Sequence, residues 1–270
     1  MKPDRFSTAR RVSEEYRRTL EAILERIFHG YNEDTAIITD PRWLEFWAMQ
    51  TARRMITGVL TGQARSWREA ARESMKGRQI YLALQQELSG PVGHRVDQLI
   101  AQNAMLIRSL PSSVAKLVTE RIARRGFSGE RAASSELSLL RHVARTRARL
   151  IARTETSKAT TALTQARSED LGLGWYEWKS SEDERVRISH RKMDGVLVAW
   201  DDPPSPEHLV GQRSNLGHYQ AGNAPNCRCY PAPVVNVDYL RWPHRVYTGG
   251  RILMMTRVQF LRVSGLRRAA

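Results

Sequence analysis

The sequence predicts an α+β protein: a mainly helical N-terminal region, then a mixed domain with a small antiparallel sheet, then a basic C-terminal tail. Three observations carry that expectation. Apolar residues recur at spacings of three and four through the first half of the chain. At Gly174 the period changes, and "WYEWKSS", "ERVRISH", "GVLVAWDD" and "YPAPVV" follow as short extended runs bounded by turn residues. After residue 235 the composition shifts again, to seven arginines and one aspartate over residues 236–270.

Each element has its own signal. Val12, Tyr16, Leu20, Ile23, Ile27 and Tyr31 mark one face of a first helix, with Glu and Arg between them. Asp40-Pro41 is a start signal, an N-cap followed by proline at the first helical position. The segment behind it carries Trp43, Phe46, Trp47, Met55, Ile56 and Val59, and its tryptophans read as core rather than as base-stacking platforms. Helix is expected to continue until Gly90-Pro91 breaks it. Shorter helices then end at Pro111 and Gly126, and Ser135 to Leu171 can hold one long helix or two. Arginines 141, 145, 147, 149 and 153 make that stretch basic, either as a solvated face or as one for phosphates or an acidic partner. "RILMMTRVQFLRVSGLRR" fits a strand or a docking helix equally well. The expected boundaries are 1–95 for the helical region, 96–235 for the mixed domain and 236–270 for the tail.

With 270 residues, 41% hydrophobic and 26% charged, the composition is that of a globular chain with a real core. Its 43 Lys+Arg against 28 Asp+Glu leave a formal net charge of +15. Such an excess favours a polyanion, because each neutralised phosphate releases counterions, or else an acidic protein surface. No apolar run approaches the roughly 20 residues that span a bilayer, and "MKPDRFSTARR" lacks the apolar centre of a signal peptide, so synthesis in the cytosol and no membrane partner are expected. The phosphate-binding, dinucleotide-binding and His-Glu-x-x-His motifs are all missing from the sequence.

The two cysteines of the chain, Cys227 and Cys229, stand one residue apart in "NAPNCRCYPAPVV". A disulfide between them would close a strained ring in a reducing compartment. In an extended segment, however, residues i and i+2 share a face, so both sulfurs can converge on one point. Zinc accepts such sulfurs and wants further ligands. His190 offers one, and Asp183, His208 and His218 are candidates for a fourth, of which Asp183 is preferred because it approaches the same turn seven residues ahead of His190. Arg228 is forced to the opposite face, toward a carboxylate or solvent. Two small, buried, inert thiols remain the alternative. Catalytic readings use the same residues: Cys227 as a nucleophile with His190, or His190 with Arg185 and Arg187 in a nuclease. Glu155, in an arginine-rich helix, reads as an ion-pair partner.

The segments "RARLIARTETSKATTALTQA", "YEWKSSEDERVRISHRKMDGVLV" and "NAPNCRCYPAPV" also stand in the order and spacing of a known family. Over roughly residues 100–235 the chain resembles the phage Mu F-like minor head (head morphogenesis) proteins. The resemblance rests on Ile151 to Glu155 with Arg153, on Asp183, Arg185, Arg187 and His190, on Asp194-Gly195, and on Asn226 to Cys229. "NAMLIRSLP" and "RRGFSG" resemble the family's lead-in. The resemblance implies a protein of a tailed bacteriophage or prophage, recruited to the procapsid with the portal and carried inside the head. It also implies a candidate metal site at His190, Cys227 and Cys229, so zinc is the cofactor to expect, if any. Expected partners are portal, inner capsid or scaffold proteins, and packaged double-stranded DNA bound without sequence preference. Arg251, Arg257, Arg262, Arg267 and Arg268 are the DNA contacts to expect, since the tail has almost no acidic residues. Some relatives carry C-terminal toxin or enzyme domains; this tail is too short for one, which favours a non-enzymatic role. The competing expectation is a nuclease or toxin-like enzyme carried in the head and acting on host nucleic acid or protein.

Overall fold

A computed structural model describes residues 6–7, 10–32, 41–74, 76–113, 116 and 134–265. The main helices are α1 (Arg10–Asn32), α2 (Pro41–Glu73), α3 (Gly77–Gln86), α4 (Pro91–Arg108) and α5 (Ser134–Asp170). Five strands follow: β1 (Trp175–Lys179), β2 (Val196–Ala199), β3 (Tyr230–Pro233), β4 (His244–Thr248) and β5 (Arg251–Met255). Two short helices join them, α6 (Ile188–Met193) and α7 (Arg257–Val263). The chain divides into two compact units, each assembled from separated stretches: Arg10–Gly58 with Asp97–Glu155, and Met1–Ala9 with Val59–Val96 and Thr156–Ala270.

The first unit is helical. Along α1, Tyr16, Leu20, Ile23, Leu24, Ile27 and Phe28 are buried, the i, i+3, i+4 stripe that the sequence shows. Ala144, Ala148 and Ala152 repeat once per turn on α5 and are also buried, so that face is narrow enough for a close neighbour. Buried Tyr16 donates its hydroxyl hydrogen to Asn103 Oδ1 at 3.1 Å. Of the five arginines between residues 141 and 153 on α5, Arg141 and Arg145 pair with Glu25 and Arg149 pairs with Glu21, so an acidic partner of this stretch lies on the chain's own first helix. The aromatic face of α2 is only partly core. Trp67 is fully buried in the other unit, whereas Phe46 and Trp47 remain exposed. Asp40, the expected cap, lies outside the described residues, and Gly90-Pro91 acts as a start as well as a stop, with Pro91 at the first position of α4.

The second unit is built on a mixed sheet in the order β3-β1-β2-β4-β5. β1 is antiparallel to β2 and β3, β4 and β5 form a hairpin, and β2 meets β4 in parallel at Leu197 and Val246. The hairpin turns on Gly249-Gly250, both at positive φ, where a Cβ would be strained. Strict alternation separates the two faces. Tyr176, Trp178, Val196 and Val198 share one cluster with the two cysteines, while Trp175, Leu197, Ala199 and Val246 pack with Phe260 of α7 on the other.

Two local expectations change. "ERVRISH" is no strand: Ile188 is 67% exposed, and the buried residues of α6 are Ser189, His190 and Met193, a helical face. The alternation of Val186 and Ile188 was accidental. "RILMMTRVQFLRVSGLRR" is both a strand and a helix in succession, divided at Thr256, whose hydroxyl accepts from the Gln259 N–H in a capping box.

A polar network braces this unit from within. The Arg167 guanidinium, almost fully buried, donates to both carboxylate oxygens of Glu87 (2.8 and 3.0 Å), to Gln63 Oε1 (2.9 Å) and to the Leu60 carbonyl (3.3 Å). Gln63 continues the chain to Thr160 O and Thr164 Oγ1 on α5. Arg167→Met leaves Glu87 a largely buried carboxylate without its cation. It is expected to cost about 3–5 kcal/mol, measured by urea unfolding; a loss below about 1 kcal/mol would show the network to be dispensable.

Candidate metal centre

α6 exists to deliver His190. It opens at Ile188 after the Arg187 peptide, and the spacing of Ser189, His190 and Met193 turns the imidazole inward. At its end Asp194-Gly195 makes the turn into β2: Gly195 has φ +68°, its N–H donates to Trp178 O at 2.7 Å, and Asp194 Oδ1 accepts from the Ser180 N–H at 2.7 Å. Arg245 donates to the Asp194 carbonyl from β4. These two motif residues are thus a hinge pin between α6 and the sheet.

The cysteines arrive on a loop that has no regular structure and runs straight into β3. Arg187 donates to the Pro225 carbonyl at 2.9 Å and ties that loop to the start of α6. From below, Thr161 Oγ1 on α5 donates to Ala221 O at 2.6 Å. The next residue, Gly222, has φ +92°, and a Cβ on it would lie 2.5 Å from Thr161 Oγ1 and 3.0 Å from Ser157 Oγ. Only glycine permits this approach.

His190, Cys227 and Cys229 meet as a buried trio, with all ligand atoms within 4.8 Å of one another. The Nδ1 of His190 is 3.4 Å from each sulfur. Bond lengths of about 2.3 Å to sulfur and 2.0–2.1 Å to nitrogen at tetrahedral angles give an edge of about 3.6 Å, so the donor set and spacing fit zinc. Two buried N–H groups also face the sulfurs. The Cys229 amide donates to Cys227 Sγ at 3.3 Å. The Trp178 indole N–H, which makes no hydrogen bond of normal geometry among the described residues, lies against Cys229 and favours its thiolate. The hydrogen bond from the Cys229 thiol pulls Cys227 far below the ordinary thiol range despite its burial. The same bond, with burial and the Cys227 charge, pushes Cys229 up. The pair therefore shares one proton, which a metal would have to displace.

On its far side, His190 Nε2 lies 2.9 Å from Tyr219 Oη. Tyr219 in turn donates to Glu207, 2.9 and 2.8 Å from its two oxygens. Burial, reinforced by Glu207, holds the phenol well above its usual range, so it keeps its proton. Neither residue was expected at the site. Both sit in the irregular Pro- and Gly-rich stretch between β2 and β3, where no periodicity marks them.

Asp183 does not join the trio. It pairs with Arg228, and it also accepts from the Arg185 N–H at 2.9 Å and the Ser181 hydroxyl at 3.0 Å. Its desolvation raises the carboxyl, but these donors together hold it below the ordinary range. The physical reason is the one-residue spacing: with both sulfurs turned inward, Arg228 points outward and takes the carboxylate there. His208 is held by Ser205 Oγ (3.1 Å) and His218 by Pro203 O (2.8 Å), so neither histidine joins either. Among the described residues no fourth His, Cys, Asp or Glu completes the set. Arg185 is exposed; Arg153 and Glu155 are on the part of α5 that belongs to the first unit, and Glu155 is near enough to Tyr16 to oppose loss of its proton, after burial. In the tail, Arg251 and Arg262 are exposed, Arg257 donates to Asp238 at 2.6 Å, and Arg267 and Arg268 lie outside the described residues.

Among curated proteins, a Haemophilus influenzae protein described as uncharacterized is 32% identical over 182 residues, 66% of this chain. The chain spans 38% of that relative's length. No solved structure matches. Residues 113–231, which contain the trio and both elements that deliver it, match the description "Phage Mu protein F like protein". Over residues 113–231, less than half of its length, the chain is similar to the phage Mu protein F like family.

Proposed function

We propose that the protein is a minor head protein of a tailed bacteriophage or prophage that serves head morphogenesis as a structural component. The observation that carries this reading is the family match over residues 113–231, whose characteristic residues serve the fold: a turn (Asp194-Gly195), a loop tie (Arg187), an ion pair (Asp183–Arg228) and a buried trio. All three members of the trio are under 5% exposed, which suits a cross-link better than a site open to substrate. Zinc held by His190, Cys227 and Cys229 would join α6 to the cysteine loop without redox chemistry. The N-terminal helical region, 1–95, docks on the portal or inner shell. The tail meets packaged DNA through Arg251 and Arg262, with Arg267 and Arg268 beyond them. The protein acts in the host cytoplasm during assembly and resides inside the head afterwards. Co-purification of the protein with portal from assembled heads tests the partner; heads that contain portal but lack the protein would overturn it.

One observation favours the enzymatic alternative: Cys227 is held toward thiolate beside His190, as a nucleophile would be. Nuclease assays with and without chelator, beside His190→Ala, separate the two readings. A chelator-sensitive activity lost in His190→Ala would establish the enzyme.

Elemental analysis is expected to find one zinc per chain. Cys229→Ser should lose it and lower the melting temperature; wild-type protein that carries no zinc and gains no thermal stability from added zinc ends the metal reading. DNA affinity is expected to fall steeply with salt. Arg251→Ala and Arg262→Ala should each flatten the log–log slope by about 0.9, and a salt-insensitive affinity would assign the positive charge to a protein partner.

A further inference from the structure

A hydrogen-bond chain that ends on a group able only to accept has a fixed direction. Glu207 is such an end. Its carboxylate is almost fully buried, and it takes hydrogen bonds from Tyr219 through both oxygens and from Ser189 Oγ at 3.1 Å. Among the described residues no lysine or arginine pairs with it; the nearest cationic candidate is His190 Nε2, 3.7 Å away. Burying a carboxylate without a cation costs several kcal/mol. A glutamine of the same size would fill the space at lower cost, so the charge itself needs a reason.

The reason lies in the direction of the chain. An ionised carboxylate cannot donate, so the Tyr219 hydroxyl must give its one hydrogen to Glu207. The phenol oxygen is then left to accept, and its neighbour at 2.9 Å is His190 Nε2. That nitrogen must therefore carry the imidazole hydrogen. In a neutral ring the other nitrogen, Nδ1, is then bare, and it is the atom 3.4 Å from both sulfurs. A metal needs a bare ring nitrogen, and the partner of the other nitrogen fixes which one that is. Glutamine at 207 would break the logic, because its amide can donate to the phenol oxygen. Tyr219 could then donate to Nε2 and leave the hydrogen on Nδ1, facing the sulfurs.

We propose that Glu207 and Tyr219 are positioning residues for the His190–Cys227–Cys229 centre, holding His190 in the Nε2–H form so that a bare Nδ1 always faces the sulfurs. The metal-affinity part of this inference rests on the zinc reading above; the tautomer part does not. Neither residue touches the metal position itself. They act through His190 alone, in the way that carboxylates act behind metal-bound histidines.

The full chain, labelled with 15N-histidine, serves for the test. In metal-free wild-type protein at mildly alkaline pH, long-range 1H–15N correlation should show His190 as the Nε2–H tautomer. In Glu207→Gln and in Tyr219→Phe the signals should move toward Nδ1–H or a mixture. In the same variants, zinc affinity measured by competition with a chromophoric chelator should fall by about 10–100-fold. The backbone spectrum checks that each variant is folded, and Tyr219→Phe, which removes one oxygen only, stands in if Glu207→Gln is not. An unchanged Nε2–H tautomer in the folded variants overturns the proposal, as does an Nδ1–H tautomer in wild type. Absence of zinc binding in wild type would instead remove the zinc reading, and the tautomer measurement would still decide this one.

Discussion

A buried imidazole must be satisfied on both nitrogens, and most of the second unit is arranged around that requirement for His190. Nδ1 draws in the cysteine loop, which must cross α5 closely enough that only glycine fits at position 222. Nε2 draws in Tyr219 and, behind it, Glu207. The stretch between β2 and β3 has little regular structure of its own, so these side-chain anchors substitute for a backbone ladder. Tyr176 adds another: its hydroxyl donates to Gln220 Oε1 at 2.8 Å, and Gln220 donates to Trp200 O at 2.8 Å. Loop, helix and sheet are thus held to one another through side chains rooted in the sheet's site face.

The helical region was legible because its stripes are long: six apolar residues of α1 at helical spacing leave little choice of structure. The strands were legible where turn residues bounded them, as at "WYEWK" and "VLVA". α6 was not, because six residues are too few for a period to declare itself and exposed Ile188 imitated a strand. β4, "HRVYT", forms a local hairpin with β5, but its link to the rest of the sheet was not legible, because β2 is 45 residues or more away in sequence and pairs with it in parallel. Of the site, the two sulfurs could be read from residue type alone, since the chain has only two cysteines, whereas His190 stood out among seven histidines by its place in the sequence and by the resemblance. Asp183 looked right by proximity in sequence and was displaced by Arg228, a competition that only the fold decides. Glu207 and Tyr219 had no local signal. Their roles come from where the loop returns, not from what surrounds them in the chain.

Part of the positive charge is already engaged within the chain. Arg141, Arg145 and Arg149 face glutamates of α1, Arg167 grips Glu87, Arg228 holds Asp183, and Arg257 meets Asp238. Apart from the buried Arg167–Glu87 pair, these solvent-accessible pairs contribute little to stability, about 0–1 kcal/mol each, but all of them lower the number of cations free to meet a polyanion. A net charge of +15 therefore says less about a binding surface than exposed residues such as Arg251 do, for which no ion pair is seen among the described residues.

The clearance at Gly222 also explains the texture of α5. Thr156, Ser157, Thr160, Thr161, Thr164 and Ser168 are all buried, an odd choice for the inside of a helix when leucine would bury more surface. Thr160, Thr164 and Ser168 each return a hydroxyl hydrogen to the carbonyl four residues earlier, at 2.8 Å, which silences their polarity locally. What remains is smallness. At positions 157 and 161 a longer side chain would press on the cysteine loop at Gly222. Ser157 and Thr161 are then the imprint of a backbone pressed against the helix, and substitution at these two positions is confined to residues no taller than the ones present.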